Sequence, residues 1–163
     1  MIALTSDELL QWSKSSTAQW RKFFAEHPEA LAIACDTAGT STVAGLLQHI
    51  VAVELRYAER LADLPVTDYA NLPSTNADEI FAVHDRAADI YRQLLADDAY
   101  SWEEELDMAT RTMGTIIAPR KAVFFHALLH GMRHYAQLAT LLRQNGLKTT
   151  WPQDYLMAVA RRG

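Results

Sequence analysis

A chain of 163 residues, half of them hydrophobic and 21% charged, fits one folded domain over residues 1–163, large enough to bury a core without disulfides. The formal net charge of -5, with basic residues adjacent only as Arg21-Lys22, Arg120-Lys121 and Arg161-Arg162, argues against nucleic acid and against an anionic membrane surface. The single cysteine, Cys35, excludes an intrachain disulfide and a thiolate metal cluster, and reads as a small buried residue.

No apolar run approaches the ~18 residues of a membrane span. Residues 1–14 hold no basic segment leading into an apolar one, so no signal peptide is expected. A reducing cytoplasm fits these features.

The first helix signal is Thr5-Ser6-Asp7-Glu8, a Ser/Thr residue followed three positions later by Glu, which predicts a capping box. The helix runs to about His27, where Pro28 ends it, and carries Leu9, Trp20, Phe23 and Phe24 as apolar positions. His27 reads as a helix-end residue. A loop through Gly39 leads to a second helix, capped by Thr40 or Ser41 and ending near Leu61. A long polar connection, 65–75, precedes the third helix. That helix opens at Asn76, has Glu79 three residues on, and keeps helical spacing through Ile80, Val83, Ala87, Ile90, Tyr91 and Leu94. Residues 101–117 mix apolar residues with Thr, Glu and Gly114, and read as a short hairpin or an irregular crossover. The fourth helix begins at Pro119, suited to a first helical position, and stops at Gly146. A short helix over 154–161 follows. Four long helices with one long crossover predict an all-α four-helix bundle.

Three of the six histidines lie at 126, 130 and 134, and the spacing i, i+4 places neighbours one turn apart on one face. At about 100° per residue, His130 and His134 fall ~40° and ~80° round from His126. They share the apolar sector of Val123 and Leu141, while His126 sits on the polar border beside Arg133. On the second helix His49 stands at the edge of the apolar face of Leu46, Val53 and Tyr57, with Arg56, Glu59 and Gln48 on its other side. Glu54 falls in the apolar arc and needs a partner if buried. Two helices presenting His49, His130 and His134 to a common interior predict a three-imidazole site for one divalent transition metal, zinc or nickel. Three protein ligands leave positions open, as catalytic sites do. Gln137, one turn after His134, is placed to orient a ligand or a bound water, and Tyr57 and Glu54 are further candidates behind the ligands. Against this stands the plain reading, in which the histidines only satisfy hydrogen bonds. His84, on the core stripe of the third helix, reads as such a core histidine.

Other chemistries lack their residues. His130-Gly-Met-Arg-His134 has the zincin spacing without its glutamate. Glu-x-x-His, which di-iron bundles need, does not occur, nor does a Gly-rich phosphate loop or a Gly-x-Ser-x-Gly elbow.

His49-Ile-Val-Ala-Val-Glu54, the run His126-Ala-Leu-Leu-His130-Gly-Met-Arg-His134-Tyr-Ala-Gln137, the ending Leu-Leu-Arg-Gln-Asn-Gly146 and the tail Trp151-Pro-Gln-Asp-Tyr155 resemble the DinB-like family. The resemblance implies a four-helix bundle of up-down-down-up topology. It also implies a metal triad of one histidine on the second helix and two, four apart, on the last long helix, matching His49, His130 and His134. The family's last-helix motif commonly reads His-Arg-x-Gln. Here it is His134-Tyr135-Ala136-Gln137, which keeps the ligands and changes any substrate contact made by the arginine. Some relatives are thiol-dependent transferases or isomerases using bacillithiol or mycothiol, and relatives are often homodimers. The expectation is therefore a metal-dependent thiol transferase or hydrolase acting on small electrophiles, catalytic residues unassigned, with a small thiol or other small molecule as partner. The alternatives are a non-catalytic metal- or ligand-binding bundle and a helical interaction protein with structural histidines.

Overall fold

The computed structural model describes residues 3–110 and 113–160. Helix α1 spans Ser6–Glu26. The capping box is present: Thr5 Oγ1 accepts from the Glu8 N–H at 3.2 Å, and Glu8 Oε2 accepts from the Thr5 N–H at 2.8 Å. The helix ends at His27, whose N–H bonds the Phe23 carbonyl, and Pro28 turns the chain into a short 3-10 segment, Pro28–Ala32. Leu9, Trp20, Phe23 and Phe24 are all buried.

Helix α2 spans Val43–Leu61 and is capped by Thr42, not by Thr40 or Ser41. The loop before it is tied down further than expected. Ala34 bridges Thr42, and the Val43 N–H bonds the Ile33 carbonyl, so the extended segment persists to 42. Thr40 instead donates to the Thr37 carbonyl at 2.8 Å and lies 3.6 Å from the buried Cys35 Sγ. A second correction concerns Glu59, which angular placement puts on the polar side of α2. It is buried. The connection after α2 folds over it: Thr67 donates to its carboxylate from N–H at 2.7 Å and from Oγ1 at 2.6 Å, Arg86 adds an ion pair at 3.6 Å, and Arg56 holds the Thr67 carbonyl at 2.7 Å.

Helix α3 spans Ala77–Leu95, with Asn76 Oδ1 accepting from the Glu79 N–H. Between α3 and the last long helix the chain forms an antiparallel hairpin, β1 Glu105–Thr110 and β2 Gly114–Pro119, with Glu105 opposite Pro119 and Thr110 opposite Gly114. The protein is therefore mostly helical with a small two-stranded sheet rather than all-α. The strand period explains why: Leu106, Met108, Ile116 and Ala118 share the face turned to the core, while Asp107 and Ile117 face out.

Helix α4 spans Arg120–Gln144, with Pro119 at its N-cap. It stops at Asn145-Gly146. Gly146 takes φ +83°, and the N–H groups of Gly146 and Leu147 bond the carbonyls of Arg143 and Leu142, a Schellman ending. A short helix α5, Tyr155–Val159, closes the tail, where Tyr155 packs edge-on against Trp12 at 5.6 Å. The last residue expected in it, Arg161, and the pair Arg161-Arg162 lie outside the described residues.

Helix α2 packs against α3 and α4, and α1 packs against the same two. Trp20 of α1 stacks on Tyr135 of α4 at 5.5 Å, with Trp151 of the tail edge-on to it at 5.0 Å. Among the described residues, no helix is long and apolar enough to cross a membrane.

One buried polar cluster lies where the four helices meet. Glu54, 1% exposed, accepts a hydrogen bond from His84 Nδ1 at 2.7 Å. Tyr91 Oη donates to the Glu54 backbone carbonyl at 2.8 Å, and Tyr135 Oη lies 3.3 Å from Thr17 Oγ1. Burial, then the charge of Glu54, raises the pKa of both phenols, so they stay protonated. Gly131 of α4 abuts this cluster: a Cβ there would stand 3.0 Å from Glu54 Oε1 and 3.5 Å from Ile50 Cγ2. Glu54 is held by His84 and cannot swing away. Gly131→Val is thus expected to lose about 2–3 kcal/mol in chemical unfolding, overpacking outweighing the relief of a helical glycine.

Candidate metal centre

The helix ladder of α4 sets His130 and His134 one turn apart, and α2 brings His49 against them. His49 Nε2 lies 3.1 Å from His130 Nε2, and His134 Nε2 lies 3.1 Å from His130 Nε2. All three donor atoms fall within 4.8 Å of one another. The rings meet obliquely, with His130 tilted 60° to His49 and 75° to His134, so their nitrogens converge on a point rather than stacking.

The tautomer of His134 is fixed from behind. Its Nδ1 lies 2.6 Å from Gln137 Oε1. An amide oxygen only accepts, so the proton sits on Nδ1 and the Nε2 lone pair faces the other two histidines. Arg133 Nη2, a pure donor, lies 3.3 Å from that same Nε2, which agrees with a lone pair there.

Burial, and then the positive charge that His134, His49, Arg133 and His126 carry when protonated, push the His130 pKa down to about 3. The His134 pKa is also lowered, by burial and by Arg133, against an upward pull from Gln137. Both imidazoles are neutral at neutral pH, the form that donates a lone pair.

The donor set fits a divalent transition metal. Three neutral imidazole nitrogens suit zinc, nickel, copper or iron. An ion held ~2.0–2.1 Å from each nitrogen keeps neighbouring donors roughly 2.9–3.4 Å apart, between octahedral and tetrahedral angles. The observed 3.1 Å lies inside that range. Tautomers alone satisfy the cluster poorly, because a single proton on His130 Nε2 faces two nitrogens at equal distance.

The family model for the DinB family matches residues 1–160. The chain belongs to the DinB family. No curated protein matches it.

In this DinB-family chain the remaining candidates are placed as follows. Gln137 touches the triad through His134. Glu54 turns to His84 in the core. Tyr57 reaches the centre through His126, whose ring lies 5.8 Å from it and 5.7 Å from His130. His126 is exposed on the rim, and burial of part of its ring, then Arg133, lowers its pKa. His84 is the expected core histidine, bonded to Glu54. Arg133 is the residue that helical bookkeeping passed over. It sits on the exposed side of α4, but its long side chain bends back to His134, and only its adjacency to a candidate ligand signalled this in the sequence.

Proposed function

We propose that His49, His130 and His134 hold one divalent transition-metal ion, zinc or nickel, and that the chain is a metal-dependent transferase or hydrolase using a small thiol or water against small electrophiles. The observation that supports this reading most is the convergence of three histidine nitrogens, with His130 Nε2 3.1 Å from both His49 Nε2 and His134 Nε2 and all three within 4.8 Å of one another. Three protein ligands leave coordination positions for an exogenous species. When bound, the ion supplies positive charge that lowers the pKa of a thiol or water held at such a position.

The chain's own residues do the rest. Gln137 keeps the His134 lone pair aimed inward. His126 and Tyr57 line the rim beside His130, and neutral His126 is placed to accept a proton released at the centre. The contacts of α2 and α1 with both α3 and α4 fit a four-helix bundle, and an up-down-down-up helix order is part of the proposal. Assembly as a homodimer is part of the same proposal.

Metal content measured by mass spectrometry on protein prepared without a nickel column tests this. About one ion per chain is expected, with loss of that ion and of any thiol-transfer or hydrolytic activity in His130→Ala. Retention of full activity by the chelated protein would overturn the mechanism, and turnover absent from a loaded chain would leave a non-catalytic metal-binding protein.

A further inference from the structure

The charge balance at the centre is unusual. Three neutral imidazoles contribute no charge, so a divalent ion bound there keeps its full positive charge. The buried carboxylate of Glu54 is engaged by His84 on another helix. Onto this centre the protein directs a further cation. Arg133 Nη2 lies 3.3 Å from His134 Nε2, and its charge acts on His126, His130 and His134 alike. Among the described residues, Arg133 has no carboxylate partner, although Arg21, Arg86, Arg92 and Arg120 each have one.

A guanidinium bonded to a ligand nitrogen's lone pair cannot keep that bond once the lone pair goes to a metal. It is then left with free donors beside a second positive charge. An anion shared by both relieves the repulsion, and the planar fork of a guanidinium matches a carboxylate in two parallel hydrogen bonds. We infer that Arg133 is a substrate-binding residue, and that the ligand of this centre is a small molecule carrying a carboxylate, held between the metal and the Arg133 guanidinium.

This inference rests on the metal reading above and deepens it. The neighbouring rings of His126 and Tyr57, 5.8 Å apart on the rim, offer an aromatic wall for the rest of such a molecule. Arg133 is exposed, so its replacement leaves the core intact.

The test uses the full chain loaded with cobalt(II), whose visible absorption bands report changes at the metal without any turnover. Acetate is titrated at fixed ionic strength into wild type and Arg133→Gln, and azide, an anion that coordinates through one end, is titrated in parallel. Acetate affinity is expected to fall about ten-fold in the variant, as for loss of a charge-assisted bidentate contact, and azide affinity to fall less. A loss for acetate no larger than that for azide would overturn the inference while leaving the metal site standing. Failure of wild type to bind cobalt(II) would overturn the metal reading, and this inference with it.

Discussion

Glu54→Ala is expected to lower the unfolding free energy by about 3–5 kcal/mol, the cost of removing one member of a buried pair and stranding the other. His84 is 3% exposed, and its Nδ1–H would lose its acceptor with no water at hand. Its Nε2 already has no hydrogen-bond partner among the described residues, so the ring would be left with both nitrogens unpaired. The missing side chain also opens a cavity beside Gly131 and Ile50. The double replacement Glu54→Leu with His84→Leu separates these costs. It removes donor and acceptor together and refills the space, so a much smaller loss is expected. Urea unfolding followed by circular dichroism measures both. Equal losses in the single and double variants would mean that the intact pair itself stabilises the fold, and that neither the stranding of His84 nor the cavity is the main cost.

What the sequence makes legible here is what local chemistry decides. The α1 capping box needs only Thr5 and Glu8. The stop at Gly146 needs only a glycine that accepts positive φ. The pairing of His130 with His134 needs only the helical repeat, and the placement of His49 needs only the apolar face of α2. Gln137 follows from the same repeat, because a residue three positions after a histidine lies above its ring.

The remainder depends on segments distant in sequence. Glu59 sits on the polar arc of α2, yet the 62–76 connection arches over it and Thr67 supplies both donors. No periodicity within α2 contains that information. The hairpin at 105–119 carries its core contacts on alternate residues, but Gly114 and the threonines blur the alternation, so hairpin and irregular crossover look alike until the strands pair. Arg133 points away from the apolar face by angle, and only the length of its side chain returns it to His134. The need of Glu54 for a partner is legible from its position in the apolar arc. That the partner is His84, thirty residues on, depends on how α2 meets α3.

His84 and the His49, His130 and His134 triad divide the molecule's polar interior by role. His84 has a carboxylate partner and lies deep among the helices, where its bond to Glu54 ties α3 to α2. His49, His130 and His134 turn their ring nitrogens toward one another between α2 and α4, with Gln137 and Arg133 on His134 and exposed His126 at the edge. A histidine cluster that existed to hold helices together would gain from a carboxylate such as the one His84 has. The triad instead turns its Nε2 atoms toward one common region, the arrangement that binding an ion from solution requires.

Zinc added to the metal-free protein is accordingly expected to raise the unfolding free energy by about 4 kcal/mol at a free concentration a thousand times the dissociation constant, since an ion that binds only the folded chain stabilises by mass action. Thermal unfolding with and without chelator reads this as a metal-dependent shift in Tm. His130→Ala should abolish the shift, because His130 lies 3.1 Å from both other donors and its loss leaves two nitrogens that no longer share a common neighbour. Gln137→Ala should keep the shift but move it to metal concentrations about 10–100 times higher, since the ring of His134 would lose the contact that fixes its tautomer and direction. His126→Ala should leave it unchanged, because His126 lies on the rim and contributes no donor to the convergent set. A shift of equal size in wild type and His130→Ala would place the bound ion elsewhere and remove the physical basis for a metal centre between α2 and α4.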